Sequence, residues 1–302
     1  MNIIKLLLVT LFITTLSADA AEDVRYKLTN LVNTAFKEAG KNDHYISLAA
    51  RNKMLSQQIA KDAVKIVTKI DDKKARKDIV IHAKEFDRTI KAFINSDEKL
   101  GVEALSNPLA KEQLQEIVTV WNHFFQAAMS LAQSKKVDIK SFVYIHRTNE
   151  HLLGMSHKLA QTLQSQRKFK TTFNPIIEHT LKFLDRERFL TQKMLKEKFL
   201  IFRKIDVKRN NVRLNGSFIL FEHALNGMLH GDKKRGLIAV TNKAIRAKLL
   251  KLEKEWKKVR DIYKFKKEGL SKKDMLMLNS NNEIMLKTTE ELVHMVESSL
   301  GI

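Results

Sequence analysis

The sequence has no cysteine, which excludes disulfide scaffolds, thiolate zinc sites, iron–sulfur clusters, c-type haem attachment and cysteine nucleophiles. It has 2 Pro and 9 Gly in 302 residues, too few for the many turns of an all-β sandwich or for Gly-rich phosphate loops. Acidic residues are outnumbered, 34 Asp+Glu against 55 Lys+Arg, giving a formal net charge of +21. No Gly-x-Ser-x-Gly elbow, phosphate loop or paired catalytic carboxylates occur, so neither an enzyme nor a cofactor is expected. What is present, 44% apolar and 29% charged residues, suits long amphipathic helices. The expected fold class is all-α, with a length that fits about two domains.

Residues 1–20 read as a secretory signal peptide: Lys5, the apolar run from Leu6 to Ile13, and Ala18-Asp19-Ala20 before Ala21. The run is well short of the ~20 residues that span a bilayer. The most apolar later segment, Phe218-Ile219-Leu220-Phe221, meets Glu222 and His223 at once. The mature chain is therefore expected to be periplasmic and not membrane-spanning, and nucleic acid is not an expected partner.

A single offset aligns widely spaced landmarks. Arg51 pairs with Arg186, Leu55 with Leu190, Gln57 with Gln192, Lys61 with Lys196, His44 with His179, Phe86 with Phe221 and Trp121 with Trp256, each 135 residues apart. Asn149-Glu150 returns as Asn282-Glu283 after a two-residue slip. This predicts a tandem duplication, with copy 1 over 21–166 and copy 2 over 167–302. Breaks at Asp71-Asp72, Ser96 to Pro108 and Ser134 to Lys136 predict four helices in copy 1, near 22–67, 73–96, 109–134 and 138–165. In copy 2 they are expected near 175–204, 211–230, 236–266 and 271–299. The predicted architecture is two up-down-up-down four-helix bundles, side by side through their first helices.

The first helix of each copy is apolar on two sides. At about 100° per residue, Leu48, Leu55, Ile59 and Ile66 form a core stripe with Arg51 at its margin, and Lys53 points away among Ala49, Ala60 and Val64. In copy 2, Phe183, Leu190 and Met194 form the stripe, Arg186 borders it, and Arg188 lies among Leu184, Leu195 and Phe199. A cation in an apolar interface is costly unless something negative meets it, either a carboxylate of the protein or a small bound anion. If the two outer faces meet, Lys53 and Arg188 approach each other across a pseudo-two-fold axis.

Arg51-Asn52-Lys53-Met54-Leu55-Ser56-Gln57-Gln58-Ile59-Ala60-Lys61 resembles the A-G-R-Q-R-M-L-S-Q-R-x-A-K motif of PilJ-type sensory domains. These occur in type IV pilus chemotaxis transducers and are related to the periplasmic domains of nitrate/nitrite sensor kinases. Arg186-Glu187-Arg188-Phe189-Leu190-Thr191-Gln192-Lys193-Met194 resembles a diverged second copy. The resemblance implies bundles that pair through their first helices and bind nitrate or a similar anion through the motif's second Arg. That position is Arg188 in copy 2 and Lys53 in copy 1; Arg51, Arg186, Gln57 and Gln192 are second-rank ligand contacts. The motif's Gly is replaced by Ala50 and Asp185, and its final Arg by Gln58 and Lys193. A membrane receptor or sensor kinase is the implied signalling partner.

Two other features have plainer readings. Glu291 and His294 have the Glu-x-x-His spacing of bundle metal sites but lack a matching pair in copy 1, so no metal is expected. The basic runs Lys73 to Lys77, Lys233 to Arg235 and Lys257 to Arg260 read as solvated helix faces. The alternatives to sensing are a ligand-free helical scaffold and a basic protein that binds a polyanion or an anionic membrane surface.

Overall fold

The computed structural model describes residues 44–165, 175–232, 237–264 and 270–300. The expected signal peptide, the part before residue 44 of the first helix expected near 22–67, the connection at 166–174 and the basic run 233–235 lie outside the described residues. Eight α-helices occupy the described residues: α1 (44–68), α2 (Asp72–Asn95), α3 (Pro108–Gln133), α4 (Ile139–Ser165), α5 (Pro175–Phe202), α6 (Val207–His230), α7 (Lys243–Lys264) and α8 (Lys272–Leu300).

Two starts in the second half differ from expectation. The sixth helix begins at Val207 rather than 211, because Asp206 turns the chain in the left-handed region (φ 43°, ψ 44°) and the helix starts immediately after it. The seventh begins at Lys243 rather than 236. There the Asn242 side chain accepts from the N–H groups of Ala244 and Ile245, satisfying donors that a helix start leaves orphaned.

Local geometry recurs at the 135-residue offset. The α1–α2 turn has Lys69 and Asp71 at positive φ, and the α5–α6 turn has Lys204 and Asp206 there. Isolated bridges join Asp97 to Val102 and Asp232 to Leu237. The Leu105 N–H donates to Phe93 O and the Val240 N–H to Met228 O, each at 2.8 Å. Trp121 stacks on Phe86 at 4.1 Å and donates to Asp87; Trp256 tilts over Phe221 at 4.6 Å and donates to Glu222. Each indole thus buries its ring in a helical core while its N–H keeps a carboxylate partner.

The halves lie side by side, with α1 and α5 parallel. Lys61 Nζ donates to Gln192 Oε1 at 2.9 Å, and reciprocally Lys196 Nζ donates to Gln57 Oε1 at 2.8 Å. A second reciprocal pair flanks them: Asn279 of α8 donates to Asp71, and His146 of α4 meets Asp206. Ala60 and Leu195, from the two expected contact faces, are both buried. Covered by its own bundle on one side and by α5 and α8 on the other, α1 has no apolar face left to water. Burying two such stripes supplies the hydrophobic term that holds the halves together.

Candidate functional site

The α1–α5 contact is polar where it is most buried. Ser56, Gln57, Thr191 and Gln192 are fully enclosed, and Lys61, Lys65 and Lys196 nearly so. Ser56 Oγ and Thr191 Oγ1 bond back to the carbonyls of Lys53 and Arg188, and the Gln57 and Gln192 amides donate to those hydroxyls. Each glutamine oxygen is thereby aimed at the lysine of the other half. Buried ammonium groups require such acceptors, since an unpaired charge in this environment is strongly unfavourable.

The two lysines are not equally served. Lys196 donates to Gln57, to Asn149 at 2.8 Å and to Glu150 at 2.6 Å. Lys61 donates to Gln192 and has Asp62 at 3.6 Å. In the second half, Asn282 bonds Gln192 and the Thr191 carbonyl, and Glu283 reaches out to Lys74. Burial pushes both ammonium groups down, against the nearby carboxylates. Burial alone would raise Glu150, but Lys196 and Lys193 outweigh it and hold the carboxyl down to about 2.

One or two turns N-terminal, Lys53 of α1 lies within electrostatic reach of Asp185 and Arg188 of α5; burial pushes its ammonium down, Asp185 opposes that, and Arg188 adds to it. His157 of α4 is also pushed down, by burial and then by Lys53. Arg188 is 6% exposed and donates from Nη2 to Asp185 Oδ1 at 2.5 Å, while its Nε has no partner. Lys53 and Arg188, the two cations expected to meet, are thus within electrostatic reach of each other, and the Asp185 carboxylate already sits beside Arg188.

The other expected contacts are placed elsewhere. Arg51 is held by Glu85 of α2 and Glu290 of α8. Arg186 lies over the Phe183 ring with its guanidinium carbon 4.8 Å from the centroid, and its Nε is 3.9 Å from Glu187. Gln57 and Gln192 belong to the lysine layer. Ala49 faces inward, lining a cleft of the first bundle with Asn52, Phe86, Ile117 and Ser156, rather than standing beside Lys53. Glu291 is taken up by Lys248, and His294 is exposed.

Glu187 was not among the expected site residues. Its carboxyl is fully buried, neither oxygen has a hydrogen-bond partner, and burial raises its pKa well above the ordinary carboxylate value. Its counterpart 135 residues earlier is Asn52, whose Oδ1 is likewise unpartnered. The signal was available: Glu187 follows Phe183 by four residues and precedes Leu190 by three, which puts it on the core stripe.

Residues 34–141 match the PilJ family model. That model describes the N-terminal region of type IV pili methyl-accepting chemotaxis transducers. The PilJ match covers α1, α2, α3 and the start of α4, and so contains Lys53 and the Arg51–Lys61 motif. No curated protein matches the chain. Among the described residues no helix is long and apolar enough to cross a membrane, and no cluster of three or more His, Asp or Glu is arranged to hold a metal.

Proposed function

We propose that this protein is a sensory component that binds a small oxyanion between its two halves. In this reading the second half is a diverged second PilJ-type copy, and the signal passes to a membrane receptor or sensor kinase from the periplasm. The role is recognition rather than catalysis. The observation that carries it is the approach of the half-buried Lys53 and the buried Arg188 from parallel helices. There a guanidinium fork and an ammonium offer a planar anion complementary donors, and a low local dielectric strengthens the attraction. Nitrate and nitrite are the first candidates, on the PilJ likeness.

The ligand-free scaffold is the competing reading, and Asp185 favours it, since it already supplies the counter-charge. Thermal denaturation with nitrate, nitrite, sulfate and chloride separates the two, because a ligand of the native state stabilises it by about 2.7 kcal/mol at a hundredfold excess over Kd. Nitrate or nitrite is expected to raise Tm beyond chloride at equal ionic strength. Arg188→Ala is expected to abolish that rise, Lys53→Arg to keep or enlarge it, and Asp185→Asn to enlarge it by removing the internal competitor. If no anion stabilises either the wild type or Asp185→Asn, the scaffold reading stands. Fractionation and N-terminal sequencing from the native host test the periplasmic location, for which a start at Ala21 is expected.

A further inference from the structure

The outer surfaces of the two halves differ most at the third helix of each. α3 has one Lys against two Glu; α7, its counterpart, has nine Lys or Arg against three Asp or Glu. Helical spacing puts the exposed Lys243, Lys251, Lys254, Lys257 and Lys258 on one side, opposite the buried Leu249, Leu252 and Trp256. In α3 the same positions are Pro108, Glu116, Thr119, Asn122 and His123. The lysine row is therefore no requirement of the shared scaffold.

Its charge is largely uncompensated. Lys257 and Lys258 reach Glu253 and Glu255 but keep 65% and 53% of their side chains exposed. Lys243, Lys251 and Lys254 make no salt bridge among the described residues. The row runs about 22 Å from Lys243 to Lys258 at the helical rise per residue. Leu250, 44% exposed, stands within it, and Ile238, 60% exposed, stands in the segment leading into α7. The corresponding residues of the first half are Gln115 and Glu103.

We propose that the outer face of α7 docks on an anionic phospholipid surface, with the lysines over headgroup phosphates and Leu250 and Ile238 entering the interfacial region. Point-like ammonium groups match a diffuse negative surface, which does not reward the bidentate geometry of arginine. Exposed aliphatic side chains among the lysines gain from an acyl boundary. A single-stranded nucleic acid would instead call for exposed aromatic rings, and the aromatics of α7, Trp256 and Tyr263, are buried.

The test is co-sedimentation of the full chain with phosphatidylcholine vesicles, with and without phosphatidylglycerol, over a range of salt. Binding is expected only to the phosphatidylglycerol vesicles, and to weaken as salt rises. Lys251→Glu/Lys254→Glu is expected to weaken it by about tenfold or more. Lys77→Glu/Lys84→Glu, the same charge change on exposed α2 positions, is expected to have a small effect. Leu250→Ser is expected to weaken the binding that persists at higher salt. If the charge-reversed α7 variant does not fold, Lys251→Gln/Lys254→Gln takes its place. Equal loss in the α2 and α7 variants, or no vesicle binding at all, overturns the proposal. Tighter retention of heparin or duplex DNA through the same lysines would also overturn it, by making the partner a soluble polyanion.

Discussion

The two halves share their turns and aromatic anchors and diverge in what they bury. Positive-φ residues, bridges and indole–carboxylate bonds recur at a constant offset, because each solves a backbone or packing problem that any such bundle poses. Several positions on α1 and α5 are free of that demand and differ: buried Asn52 against buried Glu187, partly buried Ala50 against partly buried Asp185, and partly buried Lys53 against buried Arg188. In the lysine layer identical side chains, Lys61 and Lys196, have unequal partners. The lesson is that pseudo-symmetry of the backbone does not extend to electrostatics, and that asymmetric charges mark where the halves have separate roles.

The largest expected difference between the halves lies in the lysine layer. Glu150→Ala leaves Lys196 a buried cation short of its carboxylate, and is expected to cost about 3 kcal/mol of unfolding free energy. Glu283→Ala, at the equivalent place, breaks a pair whose side chains are 45% and 48% exposed and is expected to cost under about 1 kcal/mol. Denaturant titration of both variants measures the contrast, and equal costs would remove the asymmetry. Because Glu150 is held below its ordinary 4.5, its contribution is present above that value and is lost as pH falls toward about 2. The acid limb of the wild-type stability curve should flatten in Glu150→Ala.

Next in size is Glu187→Leu. Replacing a buried carboxyl that has no hydrogen-bond partner by an apolar group of similar volume is expected to stabilise the fold by about 1–3 kcal/mol near neutral pH. The sign with pH is opposite to that of Glu150. A raised carboxyl pKa leaves stability intact below the ordinary value and erodes it as pH rises toward the folded-state value. The gap between variant and wild type should therefore widen on going up from about pH 4.5. A constant gap would mean that Glu187 has a partner in solution.

The smallest expected effect concerns the end of the second helix of each half. Ser96 has φ 72°, ψ 153°, and its counterpart Gly231 has φ 79°, ψ 159°, a region that L side chains occupy at a cost of ~1–3 kcal/mol. Ser96 offsets part of that by accepting from the Ala104 N–H at 2.9 Å. Ser96→Gly is thus expected to change stability by under about 1 kcal/mol, whereas Gly231→Ser is expected to destabilise by ~1–2 kcal/mol. Thermal melts of the pair decide it, and similar losses in both would mean that the two turns are not equivalent.

Much of the architecture was legible in the sequence because rare residues registered the repeat: with only two Trp in the chain, their common offset was informative. The doubly apolar first helices followed from winding alone, and the approach of Lys53 and Arg188 followed from winding once the repeat set the two outer faces against each other. The helix starts at Val207 and Lys243 were not legible, since they depend on Asp206 and Asn242 adopting particular backbone and capping geometries among several polar residues that offered the same chemistry. Glu187 was missed because a charged residue on a core stripe reads as the stripe's edge until its neighbours are known. Arg51 and Arg186 share the motif likeness, but Arg51 takes its partners from Glu85 and Glu290 of other helices, which no local spacing relates to it, whereas Arg186 lies over Phe183 at the i,i+3 spacing that winding does offer.

The reciprocal lysine–glutamine bonds also bear on the order of events when the chain folds. Lys61 and Gln192 are 131 positions apart in the chain, and Gln57 and Lys196 are 139 apart. Each bundle is built from neighbouring antiparallel helices and so closes through local, rapid contacts, whereas the seam between them waits on a long loop closure. Until α5 arrives, the first half holds a lysine and a glutamine without their counterparts on a face that is otherwise apolar. Stopped-flow refolding should accordingly show helix formation ahead of a slower docking step, and Gln192→Leu should slow the docking while leaving the early helical phase unchanged.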